Sequence, residues 1–333
     1  MGTFVTSMQQ RTFFSSVSPA FAPRQIVRRF AITALLALAA GVAQADTGKL
    51  LLTGGVSTIE GAAGGGLTPW AVIGSNATDG EMGASVYLTR ASTQDYTLSS
   101  YGIAVGLYNR AEVSLARQDF DASPAIALNG IAAFGVTPGQ HIKMDVLGLK
   151  VRVAGDAVLN SDSLLPQVAV GLQYKTVDPG SIGSVLQFLG ASTYGTDFYV
   201  SATKLFLAQG ILVNGTLRST NANQNGLLGF GSAAPGRNSR SWQSEFSLAL
   251  LLSRNLAIGA EYRFKPNNLE TLGAGAGLND ALREDDWKDI FIAWAPNKNA
   301  SLTAAWVDLG RVIPGITGGR RQTGFYLSGQ FAF

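Results

Sequence analysis

Few residues in this 333-residue chain could perform acid–base or metal chemistry. His141 is the only histidine and there is no cysteine, so a multi-histidine or thiolate metal site is excluded. His141 and Asp145 form the only candidate catalytic pair. Four residues apart on one strand, they would lie about 13 Å apart, too far for contact. We therefore expect no catalytic residues, no cofactor and no metal site.

Two further patterns indicate turns or loops rather than ligand sites. The run Gly64–Gly66 is not followed by a strand-to-helix unit or a Lys-Ser/Thr pair, so it predicts a turn and not a phosphate loop. The acidic run Glu284–Asp286, with Asp280 and Asp289 nearby, could bind a divalent cation in a loop. Its spacing matches no fixed ligand pattern, which favours a solvated acidic loop.

Other charged residues alternate with apolar ones and therefore need strands to position them. A lysine or arginine facing lipid at the bilayer midplane would cost about 2–4 kcal/mol, so we expect these side chains to face the inside of a barrel. The six cations and three anions predict a mildly anion-favouring lumen; internal ion-pair ladders filling a closed barrel fit equally well. The residues are Lys150, Arg152, Lys175, Arg218, Arg263 and Lys265, with Glu245, Glu261 and Asp156.

Short alternating segments recur through the chain, as transmembrane strands of about 9–11 residues require. Three-residue turns at Tyr108–Arg110 and Ser253–Asn255 keep the apolar sets of the flanking strands on one face. Long polar connections alternate strictly with these short turns. The pattern predicts an all-β fold: a single transmembrane antiparallel β-barrel of about 12 strands (alternatively 14) with short periplasmic turns and long extracellular loops.

The turn at Ser253–Asn255 also predicts a register. Directly opposed residues in an antiparallel pair have Cβ atoms about 4.5–5.5 Å apart. The predicted pairs are Leu252 with Leu256, Phe246 with Tyr262, and Glu245 with Arg263.

The segment 46–80 is glycine-dense and carries Pro69 and Trp70 in its second apolar stretch. It is either one more hairpin or a plug inserted in the barrel. Proline is disfavoured inside a ladder, and the inward residues Gly102, Ala104 and Gly106 leave space, so we favour 12 strands with an insert. The predicted organisation is a leader over 1–45, this segment over 46–80, and the barrel over 81–333.

The N-terminal region predicts export. Arg24, Arg28 and Arg29 precede the apolar run 30–42, which ends in Ala43-Gln44-Ala45. The run is shorter than the ~18 residues of a spanning helix, so we expect a signal peptide cleaved after Ala45. Residues 1–23 are a long leader or reflect the choice of start codon.

Net charge argues against a nucleic-acid partner. The chain has 25 basic and 22 acidic residues, a net charge of +3. Residues 1–45 hold four of the arginines and no acidic residue, so the mature chain has 21 basic against 22 acidic residues and a net charge of −1.

The last ten residues, Gly324–Phe333, alternate apolar with small or polar side chains and end on a phenylalanine. They resemble the C-terminal signal of Gram-negative outer-membrane barrels, which implies the outer membrane as location and the barrel-assembly machinery as a partner through Phe333. Arg90 and Arg117 lie at strand ends and could reach lipopolysaccharide phosphates, or could simply be solvated. The oligomeric state stays open.

Three stretches carry a more specific resemblance: residues 51–61 (LLTGGVSTIEG), 64–73 (GGGLTPWAVI) and 100–117 (SYGIAVGLYNRAEVSLAR). They resemble an uncharacterised bacterial family known only as a domain of unknown function with an exported, barrel-like sequence. The resemblance implies the compartment and the fold and brings no catalytic residues. We therefore expect a passive pore or carrier for small solutes; a closed structural or surface-interaction barrel is the alternative, and a barrel enzyme is third.

Overall fold

The chain forms a closed antiparallel β-barrel of twelve strands, seen in a computed structural model. The model describes residues 49, 52–125, 127, 134–157, 164–275 and 280–333. The predicted signal peptide and its cleavage site lie outside these ranges. No helix within them has the length and apolar character needed to cross a membrane.

The first two strands are two-residue segments that pair with each other, β1 (Val56–Ser57) and β2 (Ala63–Gly64). The other twelve make the barrel, each pairing with its neighbour in sequence and β14 closing against β3. They are β3 (Met82–Ser92), β4 (Thr97–Leu107), β5 (Ala111–Asp121), β6 (His141–Ala154), β7 (Gln167–Asp178), β8 (Tyr194–Phe206), β9 (Ile211–Thr220), β10 (Ser241–Ser253), β11 (Leu256–Arg263), β12 (Trp287–Trp294), β13 (Ala300–Arg311) and β14 (Arg321–Ala332).

The twelve-strand prediction is therefore confirmed. Side chains alternate along each strand between a buried inner face and an outer face that exposes large apolar groups. On β10, for example, Phe246, Leu248 and Leu250 are exposed while Glu245 is buried. A wide exposed apolar belt of this kind is the surface that a bilayer covers.

Within the described ranges, short helices occur only in the connections between barrel strands. They are a 3₁₀ turn at Gly180–Ile182, α1 (Gly183–Phe188), a 3₁₀ turn at Gln224–Gly226, α2 (Glu270–Gly275) and α3 (Pro314–Thr317).

Connection lengths follow the predicted asymmetry with two exceptions. At the long-loop end the connections 122–140, 179–193, 221–240, 264–286 and 312–320 join successive strands, but the β3–β4 connection there has only residues 93–96. At the short-turn end, 155–166 is longer than the turns 108–110, 207–210, 254–255 and 295–299. The expectation of strict alternation is therefore wrong at these two places: a four-residue connection joins β3 and β4 at the long-loop end, and a twelve-residue connection joins β6 and β7 at the short-turn end.

The predicted β10–β11 register is found along most of the pair. Phe246 faces Tyr262 and Glu245 faces Arg263. Beside the turn the prediction is wrong: the register shifts between Leu251 and Ser253, so that Ser253, and not Leu252, pairs with Leu256. A bulge of this kind adds one residue to one strand and leaves the rest of the ladder in register.

The chain terminus contributes to closure. The Phe333 amide donates to the Ala84 carbonyl at 2.9 Å, and the Ala84 amide donates to the Phe333 carbonyl at 2.7 Å. The terminal residue therefore extends the seam between β14 and β3 by one more pair.

Candidate functional site

Residues 52–80, hereafter the inner segment, lie inside the barrel and contact its wall on almost every side. Hydrogen bonds join this segment to side chains of nine strands: β4 to β11 and β14. The interior is thus occupied by the chain itself, and the segment adds no thirteenth strand to the barrel wall.

A cluster of six charges holds the middle of the inner segment, and we call it the central cluster. Glu60 is the member contributed by the segment. Its carboxylate lies 3.1 Å from the Arg263 guanidinium, 2.5 Å from Lys175 Nζ and 3.5 Å from Arg218. Barrel carboxylates complete the set. The members are Glu60, Lys175, Asp197, Arg218, Glu245 and Arg263.

The central cluster is electrically balanced, with three cations and three carboxylates, and each side chain is at most 2% exposed. Glu245 accepts from Arg218 Nε at 2.5 Å and lies 3.4 Å from Arg263 Nε. Removing one member of such a buried set leaves an uncompensated charge, which typically costs about 3–5 kcal/mol.

A second buried pair holds the segment nearer the short-turn end. Lys150 Nζ lies 3.1 Å from Glu112 and donates to the carbonyls of Ala63 and Val72 at 3.0 and 2.8 Å. Glu112 in turn accepts from the amides of Ala63 and Gly74 at 3.1 and 2.7 Å. Arg152, one inward position further, pairs with Asp79 and Asp156 at 3.2 and 3.4 Å.

Glu261 forms hydrogen bonds with the turn that follows β2. Its carboxylate accepts from the amides of Leu67 and Thr68 at 2.7 and 3.2 Å, from the Thr68 hydroxyl at 2.6 Å and from the Ser247 hydroxyl at 2.9 Å. A Cβ at Gly65 would overlap this carboxylate, so the glycine permits the close approach.

The structure places eight of the nine predicted inward residues inside the barrel, each at most 8% exposed, whereas the ninth, Asp156, lies in the connection after β6 and is 27% exposed. Most of the eight bond to the inner segment, and Lys265 bonds instead to Gln224 and Glu284 of two long-loop connections. The eight are Lys150, Arg152, Lys175, Arg218, Glu245, Glu261, Arg263 and Lys265.

Sequence reasoning missed several inward anions. Glu112 could have been found, because it alternates with the outward residues Val113 and Leu115. Asp197 and Asp289 have the same kind of signal within β8 and β12. Glu60 has none, because it lies between two-residue strands and its partners are distant in sequence.

His141 lies on the outer face at the long-loop end and meets carboxylates across the β5–β6 pair. Its Nδ1 is 2.7 Å from Asp119 and its Nε2 is 3.6 Å from Asp121. Asp145, the partner considered from sequence, pairs with Arg117 at 3.5 Å instead. Arg90 is exposed on the outer face of β3.

The acidic run 284–286 is divided among separate partners. Glu284 is buried against Lys265, Asp285 binds Arg311 with two hydrogen bonds at 2.9 and 3.1 Å, and Asp286 accepts from Tyr262. The carboxylates therefore fix loops to strands within the described part of the chain.

Several solved structures are similar to this chain at low identity. The KdgM porin is 9% identical, with 75% of this chain and 99% of that chain covered and a TM-score of 0.44. An outer membrane channel from Pseudomonas putida F1 is 12% identical, with coverage of 78% and 96% and a TM-score of 0.42. The Salmonella typhi outer membrane phospholipase dimer with bound calcium is 9% identical, with coverage of 86% and 98% and a TM-score of 0.39.

These similarities carry no argument about function, and the barrel assignment depends on the closed strand order described above. No curated protein sequence matches the chain. Residues 53–330 match one family profile, described as "Protein of unknown function (DUF3034)". This match confirms the predicted resemblance, and the chain belongs to that family.

Proposed function

We propose that the protein is an outer-membrane barrel that provides a passage for small polar solutes, and that the inner segment closes this passage at rest. The observation that carries the proposal is the chemistry of the wall behind the segment. Charged and hydroxyl side chains line it, as in water-filled barrels, and the inner segment occupies that polar space.

The polar contacts between the inner segment and the barrel wall favour a reversible closure. Many of its wall contacts are ion pairs and hydrogen bonds to charged groups, including those of Glu60 and Glu261. Water can replace such contacts when the segment moves, whereas a fully apolar packing would expose apolar surface.

A closed structural barrel is the second candidate, and the charge balance of the central cluster favours it. Three cations meet three carboxylates with little exposure, so the resting interior needs no solute to neutralise it.

We propose no catalytic role, since His141 has no nucleophile placed beside it among the described contacts.

Conductance in planar bilayers separates the two candidates. We expect the wild-type barrel to show rare, brief openings and a variant with a weakened segment, Glu60→Gln, to show frequent ones. Silence from both proteins, when both run as folded barrels on unheated gels, would contradict the passage and favour the structural barrel.

A further inference from the structure

A pocket lies inside the barrel between the inner segment and the wall formed by β3–β5 and β12–β14. Its space, including the part open to solvent, measures about 530 Å³. Apolar and aromatic side chains line it together with two charged residues, Lys288 and Asp289, and we call it the aromatic pocket. The residues that matter here are Leu67, Tyr96, Phe120, Trp287, Asp289 and Tyr326.

Asp289 is an acidic group of this pocket that makes no ion pair within the described residues. It points inward on β12 and lies directly opposite Glu261 on β11, an arrangement of like charges that destabilises a strand pair. Glu261 is satisfied by Thr68, Leu67 and Ser247. Within the described ranges, Asp289 Oδ1 has no hydrogen-bond partner.

The cations of β11, of the connection that follows it and of β12 pair with other groups, so the described part of the chain offers Asp289 no salt bridge. Asp289 therefore has no cation paired with it, although Lys288 belongs to the same pocket. The three cations are Arg263, which bonds Glu60 and Glu245, Lys265, which bonds Gln224 and lies 3.5 Å from Glu284, and Lys288, which lies 3.5 Å from Asp308.

The aromatic walls suit a cation as well. Tyr96 and Phe120 pack with ring centroids 4.9 Å apart, and the Trp287 ring already has Lys265 Nζ at 4.7 Å from its centroid. Trp287 is 3% exposed and its indole Nε1 has no partner within the described ranges. Aromatic faces attract ammonium groups, most strongly where water is excluded.

From this juxtaposition we propose that the aromatic pocket binds a small organic cation, a protonated amine on an apolar or aromatic body, with Asp289 as its counter-charge. Residues 93–96 form part of the rim, so the pocket lies toward the long-loop end of the inner segment. Binding at this position would require no transfer of the ligand across the barrel. The inference therefore does not depend on the proposed passage, and its test needs no conductance.

The test is calorimetric titration of the purified, folded full chain with benzylammonium at neutral pH. Benzyl alcohol, which has the same ring without the charge, is the matched ligand. We expect saturable binding of benzylammonium and at least tenfold weaker binding of benzyl alcohol. Asp289→Asn should weaken benzylammonium binding about tenfold, and the control Asp178→Asn, an equal charge change at the exposed end of β7, should not.

Asp289→Asn relieves the like-charge contact with Glu261, so we expect it to fold, as heat-modifiable migration will show. Trp287→Phe is the second variant, since it keeps an aromatic face and should retain binding within a few-fold. Three results would overturn the proposal: no saturable binding to folded wild type, equal binding of benzyl alcohol, or unchanged binding in Asp289→Asn.

Discussion

Glu60 of the inner segment and Arg263 of β11 lie 3.1 Å apart in the middle of the barrel, although 203 positions separate them in sequence. Glu60 also contacts Lys175 and Arg218. The Glu60 side chain thus joins the inner segment to β7, β9 and β11. Within the described part of the segment, Glu60 makes the most ion pairs to the wall, so we expect the proposed closure to depend strongly on this carboxylate.

Glu60→Gln should loosen the inner segment. It leaves the central cluster with three cations and two carboxylates, and removing one partner of a buried pair costs about 3–5 kcal/mol. We expect frequent openings in planar bilayers and faster amide exchange over residues 52–80, with heat-modifiable migration retained.

Two further variants control this result. Glu270→Gln, in a long-loop connection, changes the charge equally and should leave exchange in the segment unchanged. Glu60→Gln combined with Arg263→Gln restores the balance of charge, so we expect partial recovery of protection. If Glu60→Gln exchanges like wild type, the cluster does not hold the segment.

Glu245→Gln should shift ion selectivity once the passage is open. Glu245 contacts both Arg218 and Arg263, so its loss adds one positive charge to the cluster, which changes from +1 to +2 in a Glu60→Gln background. In a Glu60→Gln background we expect the reversal potential under a salt gradient to move further toward anions. An unchanged reversal potential would mean that ions do not pass this cluster.

The pair Lys265–Glu284 predicts a pH dependence of the long-loop end. Burial raises the pKa of Glu284 to about 7, above its ordinary value of 4.5. The folded state therefore holds this proton more tightly than the unfolded one, and stability is gained as pH falls from about 7 toward 4.5 and lost as it rises through that window. Burial also lowers the pKa of Lys265, to about 8, so lysine titration lies above the window.

Amide exchange of connections 221–240 and 264–286 across pH 4.5–7 is the measurement. Wild type should become more protected toward the acid side, after correction for intrinsic exchange. Glu284→Gln should remove this dependence, because its side chain carries no titrating group. An equally steep dependence in Glu284→Gln would assign the effect to other residues.

Arg90 should contribute more to lipopolysaccharide retention than Arg117. Arg90 is exposed on the outer face, whereas Arg117 is already paired with Asp145 at 3.5 Å. Phosphates bind arginine by charge-assisted hydrogen bonds, which favours the more exposed guanidinium, that of Arg90. We expect less lipopolysaccharide to co-purify with Arg90→Gln than with Arg117→Gln. If the Arg90→Gln/Arg117→Gln double variant retains as much lipopolysaccharide as the wild type, neither arginine binds it.

The wall of the barrel was predictable because the orientation of its side chains depends on residues close together in the sequence. A period of two along each strand fixes which side chains face inward, and a short turn fixes the register, so the Glu245–Arg263 pair could be predicted. The bulge at Leu251–Ser253 could not, because it depends on backbone geometry at the turn and not on the polarity of the residues.

The contents of the barrel were only partly predictable. Proline at position 69 and the small inward residues of β4 indicated an insert, but the partners of Glu60 follow from how an irregular segment lies in three dimensions. The outer-face contacts of His141 with Asp119 were missed because they cross between strands rather than run along one.

The most direct test of closure by the inner segment is a reversible crosslink. Thr68 Oγ1 lies 2.5 Å from Ser247 Oγ, and the chain has no cysteine, so Thr68→Cys with Ser247→Cys can tie the segment to β10 by a single disulfide. In a Glu60→Gln background we predict conductance in the reduced protein, silence after oxidation, and recovery on reduction, while each single-cysteine variant conducts in both states. Equal conductance of the oxidised and reduced double-cysteine protein, with the disulfide verified by mass spectrometry, would contradict closure by residues 52–80.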